Sequence, residues 1–301
     1  MIILYNIIVV NEKITAVVPV FNEENSIFDI LDGISNYCDE IIIVNDGSTD
    51  RSIEKIIDFQ KLDKKRVEII ENKKNHGIGY SVKKGFDLAL KNGAGIVLKI
   101  DADGQHDPDN IPQFIKLLDK NNLDLVKGNR FFDAESIQNM PKVKIIGNLI
   151  TTNIQKIVSG NYKISDPNNG FLAVKANKLK SINFNFLNNQ YFFENSLLVV
   201  FTALDFKIGE IGIKTIYRNE KSSIPVLTAS IKLLPVFISL LFKKNSIRAF
   251  QKLSINSLIF YLGVLILLIN TFLNTLFLWY AFSILVVVYL LIDIVNFYKL
   301  N

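Results

Sequence analysis

Cysteine is nearly missing from this chain of 301 residues: Cys38 stands alone, which excludes a disulfide framework and a thiolate metal cluster within the chain. A reduced compartment and a buried, apolar Cys38 are expected. Histidine is almost as scarce. His76 and His106 are too far apart in sequence for a recognisable zinc spacing, and both read as polar turn residues near which a phosphate can lie. Also missing is the glycine-rich lysine motif of phosphate-loop enzymes, which weighs against a nucleotidyl- or phosphate-transfer enzyme of that kind. Residues Met1 to Val10 are apolar but lack the basic leader and small-residue cleavage site of a signal peptide, so an added edge strand is expected there.

An excess of positive charge is missing from most of the chain as well. The whole chain carries +5, yet Lys221, Lys232, Lys243, Lys244, Arg248, Lys252 and Lys299 face only Asp293 after residue 220, a net of +6 that leaves −1 for residues 1–220. A nucleic-acid-binding body is thereby disfavoured, and a basic tail facing anionic lipid is favoured. From Leu253 to Ile292 there is no charge at all. That run is about twice the roughly 20 residues of one membrane span. It predicts two transmembrane helices, Ser254 to Thr271 and Leu276 to Val295, with a tight turn over Asn270 to Asn274. The basic residues before the first span and Lys299 after the second place both termini and the body in the cytoplasm. The chain is then an integral protein of the cell membrane. Residues Ile231 to Phe242 are apolar but hold Lys232 and Pro235, and they are too short to span. They suit either a helix lying in the headgroup plane or a buried amphipathic helix of the body.

What is present is a repeated strand, polar turn and helix. Ile14 to Val20, Glu40 to Val44 and Val67 to Glu71 read as strands, and each is followed by a polar turn and a helical pattern. The pattern predicts an α/β domain with a parallel sheet, its functional turns gathered at one edge. Asp46, the Gly77 turn and the run Val97 to His106 are then neighbours. In that last run a strand delivers Asp101 and Asp103 to its carboxyl end, where a carboxylate pair can hold a divalent ion and, through it, a diphosphate. The alternative is that the two aspartates only cap the helix beginning near Pro108. Asp46 can likewise be an Asx turn and Asn75 a helix cap.

Four stretches in order, Val17 to Glu24, Ile43 to Asp50, Asn75 to Gly79 and Asp101 to His106, together resemble successive motifs of glycosyltransferase family 2. Those are nucleotide-sugar-dependent enzymes with a GT-A fold, a Rossmann-like nucleotide-diphospho-sugar transferase architecture. Gln105 and His106, Gly128-Asn129-Arg130, Asp166 to Phe171 and the terminal hairpin are similar to the dolichyl-phosphate mannose synthase and polyprenyl-phosphate glucosyltransferase branch. The implied organisation is a catalytic domain over residues 1–220, a basic interfacial linker over 221–252 and a membrane hairpin over 253–298.

By this resemblance Pro19, Phe21, Asn22, Glu23, Asp46 and Gly77 serve the donor nucleotide, with Phe21 where the family more often has Tyr. Asp101, Asp103 and Gln105 form the metal and diphosphate group, for which Mg²⁺ or Mn²⁺ is expected. Arg130 matches an arginine that binds the acceptor phosphate, and Arg218 a basic residue near the donor diphosphate, although Arg218 can equally be a solvated strand end. The second acceptor-side arginine has no clear match; Lys142 and Lys144 are the nearby cations, without the bidentate fork. Glu194 reads as a carboxylate near the acceptor or as a favourable charge at a helix start.

The expected reaction moves a hexose, with inversion, from a GDP-mannose or UDP-glucose type of donor to a polyprenyl or dolichyl phosphate. A second reading keeps the fold but delivers the sugar to a glycan hydroxyl in cell-surface polysaccharide or glycoprotein assembly, which needs a carboxylate base. A third, of another class, is a non-catalytic membrane subunit that binds a nucleotide sugar. Membrane lipids are expected partners and nucleic acid is not; a homo-oligomer stays open.

Overall fold

The computed structural model describes residues 12–62, 66–132, 137, 140–215, 226–252, 255–273 and 276–299. In chain order it contains β1 (Ile14–Val20), α1 (Ile27–Ser35), β2 (Glu40–Asn45), α2 (Ser52–Leu62), β3 (Val67–Glu71), α3 (Ile78–Lys91), β4 (Ile96–Lys99), α4 (Ile111–Lys120) and β5 (Leu125–Asn129). Next come α5 (Lys142–Ser159), β6 (Leu172–Lys175), the short α6 (Ala176–Lys180), α7 (Phe193–Ala203) and β7 (Ile208–Gly212). The chain then continues as α8 (Val226–Lys252), α9 (Ile255–Leu273) and α10 (Leu276–Lys299). The expected edge strand over Met1 to Val10 and the site candidate Arg218 lie outside the described residues.

The strands form one sheet in the order β3-β2-β1-β4-β6-β5-β7. Side chains alternate across it, as the period of two requires. Ala16, Val18, Ile41 and Ile43 pack with α1 and α4 on one face, whereas Val17, Ile42 and Val44 pack with α3 and α7 on the other. Gly85 has no side chain to separate α3 from Val17, and this lets the helix close onto the centre of the sheet. Cys38 is buried in the first of these layers, as expected.

The parallel half, β3-β2-β1-β4, follows the predicted pattern. The other half departs from it, because β6 runs antiparallel to both β4 and β5. The reason is connectivity. After β5 ends at the carboxyl edge of the sheet, the chain forms α5 and re-enters from that same edge without a crossover, so β6 must run the other way. Residues 160–171 are thereby left at the carboxyl edge, beside the end of β4.

Helix α8 packs on α5 and α7, with Phe237 and Leu240 buried against Val158 and Val199. The hairpin α9-α10 follows, and α9 runs to Leu273, so the residues expected to turn at Asn270 to Leu273 are helical instead. Asp293 of α10 is buried, accepts hydrogen bonds from Lys244 and Asn256 at 3.0 Å each, and is paired with Arg248. Among the described residues no helix is long and apolar enough to cross a membrane. The described side chains of the hairpin, 255–269 and 279–295, fall short of the roughly 20 residues of a span.

Candidate functional site

Three loops meet at the carboxyl edge. Asp46, at the end of β2, is neither an isolated Asx turn nor exposed: its carboxylate accepts the backbone N–H groups of His76 at 3.1 Å and Gly77 at 2.8 Å, and the amide of Asn72 at 2.8 Å. It therefore anchors the turn before α3. Gly77 opens that helix with φ at 99°, a conformation that disfavours a side chain, and Asn75 does not cap it. His76 stacks on Tyr80 with ring centroids 4.6 Å apart.

The donor-side residues expected in the first loop divide into two groups. Phe21 is 43% exposed on the rim, open for stacking. By contrast Pro19 lies inside β1 opposite Val44 and is buried there, away from the loop surface. Asn22, with φ at 58°, receives the N–H of Thr49 at 2.8 Å, and the N–H of Glu23 donates to the Ser52 hydroxyl at 2.8 Å. These two residues hold the first loop to the second.

The structure removes the capping reading of the aspartate pair. Asp107, not Asp101 or Asp103, caps the helical turn that starts at Pro108, by accepting the N–H of Asp109 at 2.9 Å. Asp103 accepts the N–H of Gln105 at 2.9 Å, which shapes the loop, while Asp101 faces inward. Lys99 lies 2.7 Å from Asp101 and 2.6 Å from Glu194, and is itself fully buried. The approach to Asp101 Oδ1 is a contact ion pair without the alignment of a hydrogen bond. Burial opposes ionisation of Asp101, yet the Lys99 ammonium holds its carboxyl below the usual range. Burial likewise opposes the charge on Lys99, and Asp101 and Glu194 together overcome it and raise its pKa.

His106 approaches Asp101 at 3.8 Å, but burial drops its pKa to about 4, so the imidazole is neutral at neutral pH and this is no ion pair. Its ring leans on Phe171.

Arg130 makes a two-pronged contact with buried Asp166, Nε and Nη2 each 2.7 Å from a carboxylate oxygen. Asp166 is fixed further by Glu210, which accepts the N–H groups of Ser165 and Asp166 at 2.9 Å each. Four residues on, Gly170 passes so close to Asp101 that any side chain there would collide with the carboxylate. Lys127 of β5 is fully buried, donates to the Asn169 carbonyl, and has its pKa lowered to about 8 by burial.

Six buried or nearly buried charges thus meet: Lys99, Lys127 and Arg130 against Asp101, Asp166 and Glu194. They balance. Sequence patterning missed Lys99 and Lys127 as site residues because each interrupts an apolar strand by one position; a cation that costly to bury was the available signal. Lys142 and Lys144 stand at the start of α5.

Among the described residues no group of three or more His, Cys, Asp or Glu side chains is placed to hold a metal. Asp101 and Asp103 offer carboxylate oxygens of the kind that suit Mg²⁺ or Mn²⁺ when a diphosphate completes the shell. Asp101 keeps 21% of its side chain exposed on the loop side while Lys99 covers its inner oxygen. The pair therefore suits a divalent ion that takes its remaining ligands from another molecule.

A profile described as glycosyl transferase family 2 matches residues 15–182. The chain is 29% identical, over 69% of its length and 88% of the other's, to the UDP-N-acetylglucosamine–dolichyl-phosphate N-acetylglucosaminyltransferase of Methanococcus voltae. It is 23% identical, over 67% of its length and 80% of the other's, to the polyprenol monophosphomannose synthase of Mycolicibacterium smegmatis. Its fold is similar to that of the glucosyl-3-phosphoglycerate synthase of Mycobacterium tuberculosis, whose crystal structure contains Mn²⁺, UDP and phosphoglyceric acid. The TM-score is 0.57 at 19% identity, covering 77% of this chain and 78% of that one.

Proposed function

The chain belongs to glycosyl transferase family 2, and from that premise we propose that it transfers a sugar, with inversion, from a nucleotide diphosphate sugar to a polyprenyl or dolichyl phosphate. One observation favours the lipid phosphate over a glycan hydroxyl. Glu194, the carboxylate a hydroxyl acceptor would need as base, is buried and held 2.6 Å from the Lys99 ammonium. A buried carboxylate whose oxygen is already engaged by an ammonium is not open to an incoming hydroxyl. A phosphate monoester carries about −1.5 to −2 charge at pH 7 and needs positioning more than deprotonation. The lipid phosphate acceptors named for the relatives above support the same choice.

In this reading Phe21 and the Asp46-anchored turn bound the donor nucleotide pocket. Asp101 and Asp103, with Gln105 in support, hold Mg²⁺ or Mn²⁺, which offsets charge on the departing diphosphate. Lys99 positions Asp101 from within. Arg130, oriented by Asp166, presents its guanidinium to the acceptor phosphate, with Lys142 and Lys144 as further cations on the approach.

The hairpin α9-α10 is assigned to the membrane on the uncharged run Leu253 to Ile292 and on side chains that water would not accommodate together, such as Leu258 at 70% and Ile284 at 63% exposure. The basic residues flanking it favour a body and both ends on the cytoplasmic side.

The test is to incubate membranes containing the protein with radiolabelled UDP-glucose, GDP-mannose and UDP-N-acetylglucosamine separately and to extract the lipid. Label in a lipid fraction with one donor is expected. Label that enters only glycan or protein would overturn the acceptor assignment, and donor binding without turnover would favour the non-catalytic reading.

A further inference from the structure

Residues 188–192, which lead into α7, lie as a strap across the start of α3. The N–H of Tyr80 donates to the Asn189 carbonyl at 2.8 Å, and the Gln190 side-chain amide donates to the His76 carbonyl at 2.9 Å. The strap passes so close that a Cβ at Gly77 would collide with Gln190 and Asn189, and one at Gly79 with Asn188. Both glycines of the turn after β3 are thus accounted for by the chain that crosses them.

The other end of the strap is fixed as well. The N–H of Asn188 donates to the Ser196 hydroxyl at 2.8 Å, and that of Phe193 to the Gln190 carbonyl at 3.2 Å. Glu194, in the first turn of α7, is held by Lys99, which also meets Asp101. Between these two anchorages, one on the His76 turn and one on the Lys99–Asp101 pair, stands Tyr191, 67% exposed. The strap is held by its backbone and by Gln190, so an exposed ring at this position adds nothing to the core.

The Tyr191 phenol nevertheless feels the site. Desolvation and the charges of Asp101, Glu194 and Asp103 raise its pKa, while the Arg130 guanidinium lowers it. Residues assigned to the diphosphate and to the acceptor therefore act on one exposed ring.

We propose that Tyr191 is a specificity-determining residue that contacts the pyranose ring of the donor. The proposal rests on the transfer reading above. In an inverting transfer the acceptor oxygen bonds to the anomeric carbon on the side opposite the diphosphate oxygen that leaves, so the sugar lies between the two phosphates. Asp101 and Asp103 serve the departing diphosphate in that reading and Arg130 the acceptor, and a group under the influence of all three is beside the sugar. The base falls instead to Phe21 and the Asp46-anchored turn. A tyrosine suits a pyranose, because its ring offers an apolar face to the C–H side of the sugar and its hydroxyl a polar tip to a sugar hydroxyl.

The experiment uses the full chain in detergent with Mn²⁺ and measures equilibrium binding of UDP, GDP, UDP-glucose, GDP-mannose and UDP-N-acetylglucosamine. Tyr191→Ala should weaken binding of the nucleotide sugar that the parent holds most tightly by about tenfold, and change that of the matching nucleoside diphosphate by less than about twofold. Tyr191→Phe, which keeps the ring, should retain most of the sugar-dependent affinity. Equal losses for the nucleotide sugar and the diphosphate would overturn the proposal, by making Tyr191 part of the nucleotide pocket or of the strap alone. Unchanged affinity for the nucleotide sugar in Tyr191→Ala would overturn it too, and a raised KM for the lipid phosphate in that variant would give the ring to the acceptor. No acceptor enters the binding measurement. A sugar-selective loss in Tyr191→Ala, together with label that reaches only glycan in the parent, would leave the Tyr191 assignment standing and remove only the lipid phosphate.

Discussion

Lys99 and Asp101, two residues apart at the end of β4, stand with Nζ and Oδ1 2.7 Å from each other, the ammonium fully buried and the carboxylate at the loop surface. Residues i and i+2 of an extended strand emerge on the same side, so local geometry brings the pair together. Glu194 completes it from α7, across 95 positions of sequence. The Asp101 carboxylate is thus braced from inside the core.

Lys99→Met keeps the length of the side chain and removes its charge. Glu194 is then left buried, and Asp101 partly so, without their cation, and a loss of about 3 kcal/mol in stability is expected, together with loss of turnover. Lys99→Met combined with Glu194→Gln should recover part of the stability without recovering turnover. Urea melts and lipid labelling measure the two effects, and a single variant with the unfolding midpoint of the parent would contradict the bracing role.

Arg130→Ala should nearly abolish transfer, and Arg130→Lys should restore only part of it, because a lysine cannot reproduce the fork that meets Asp166. Asp166→Asn, which retains the guanidinium, should keep more activity than Arg130→Ala. Glu194→Gln should also cost less than Arg130→Ala. Acceptor titrations at fixed donor compare the four; collapse in Glu194→Gln with Arg130→Ala nearly unharmed would favour a hydroxyl acceptor.

Asp101→Asn and Asp103→Asn should each remove nearly all turnover. Asp103→Asn should leave thermal stability within about 1 kcal/mol of the parent, since the residue sits in a loop and its loss opens no core cavity. Full activity of the parent in excess chelator would exclude the metal role.

His106 has a folded pKa of about 4 against an ordinary 6.5. Between these values the unfolded chain binds the extra proton and the folded one does not, so stability rises with pH across that window. It is complete above about 6.5 and is lost as pH falls toward 4, by up to about 3 kcal/mol. Urea melts at pH 5 and pH 7 should show the slope in the parent and a shallower one in His106→Gln.

Cys38 is buried and its thiol is pushed up to about 12, first by desolvation. The native protein should therefore resist iodoacetamide at pH 8 and react rapidly once unfolded. Rapid alkylation of the folded protein would show that the first core layer opens.

Much of this molecule was legible from local pattern. The strands β1 to β3, the helices after them and the two long terminal helices follow from periodicity and turn chemistry, which act over a few residues. The meeting of Asp46, Gly77 and Asp101 at one edge follows from parallel connections. Local pattern could not decide what Asp101 faces, because a motif names the residue at the end of a strand but not the partner that a distant helix brings to it.

Three decisions belonged to the tertiary structure alone. The return of the chain after α5 made β6 antiparallel and put Asp166 and Gly170 beside the site. Burial of Lys99 and Lys127 became tolerable only when Asp101, Glu194, Asp166 and the Asn169 carbonyl converged on them from elements far apart in sequence. Helix α5 turns Thr152 and Gln155 inward and leaves Ile146, Leu149 and Ile157 exposed, an orientation set by its packed neighbours, since an amphipathic spacing shows that a helix has two faces but not which of them turns inward.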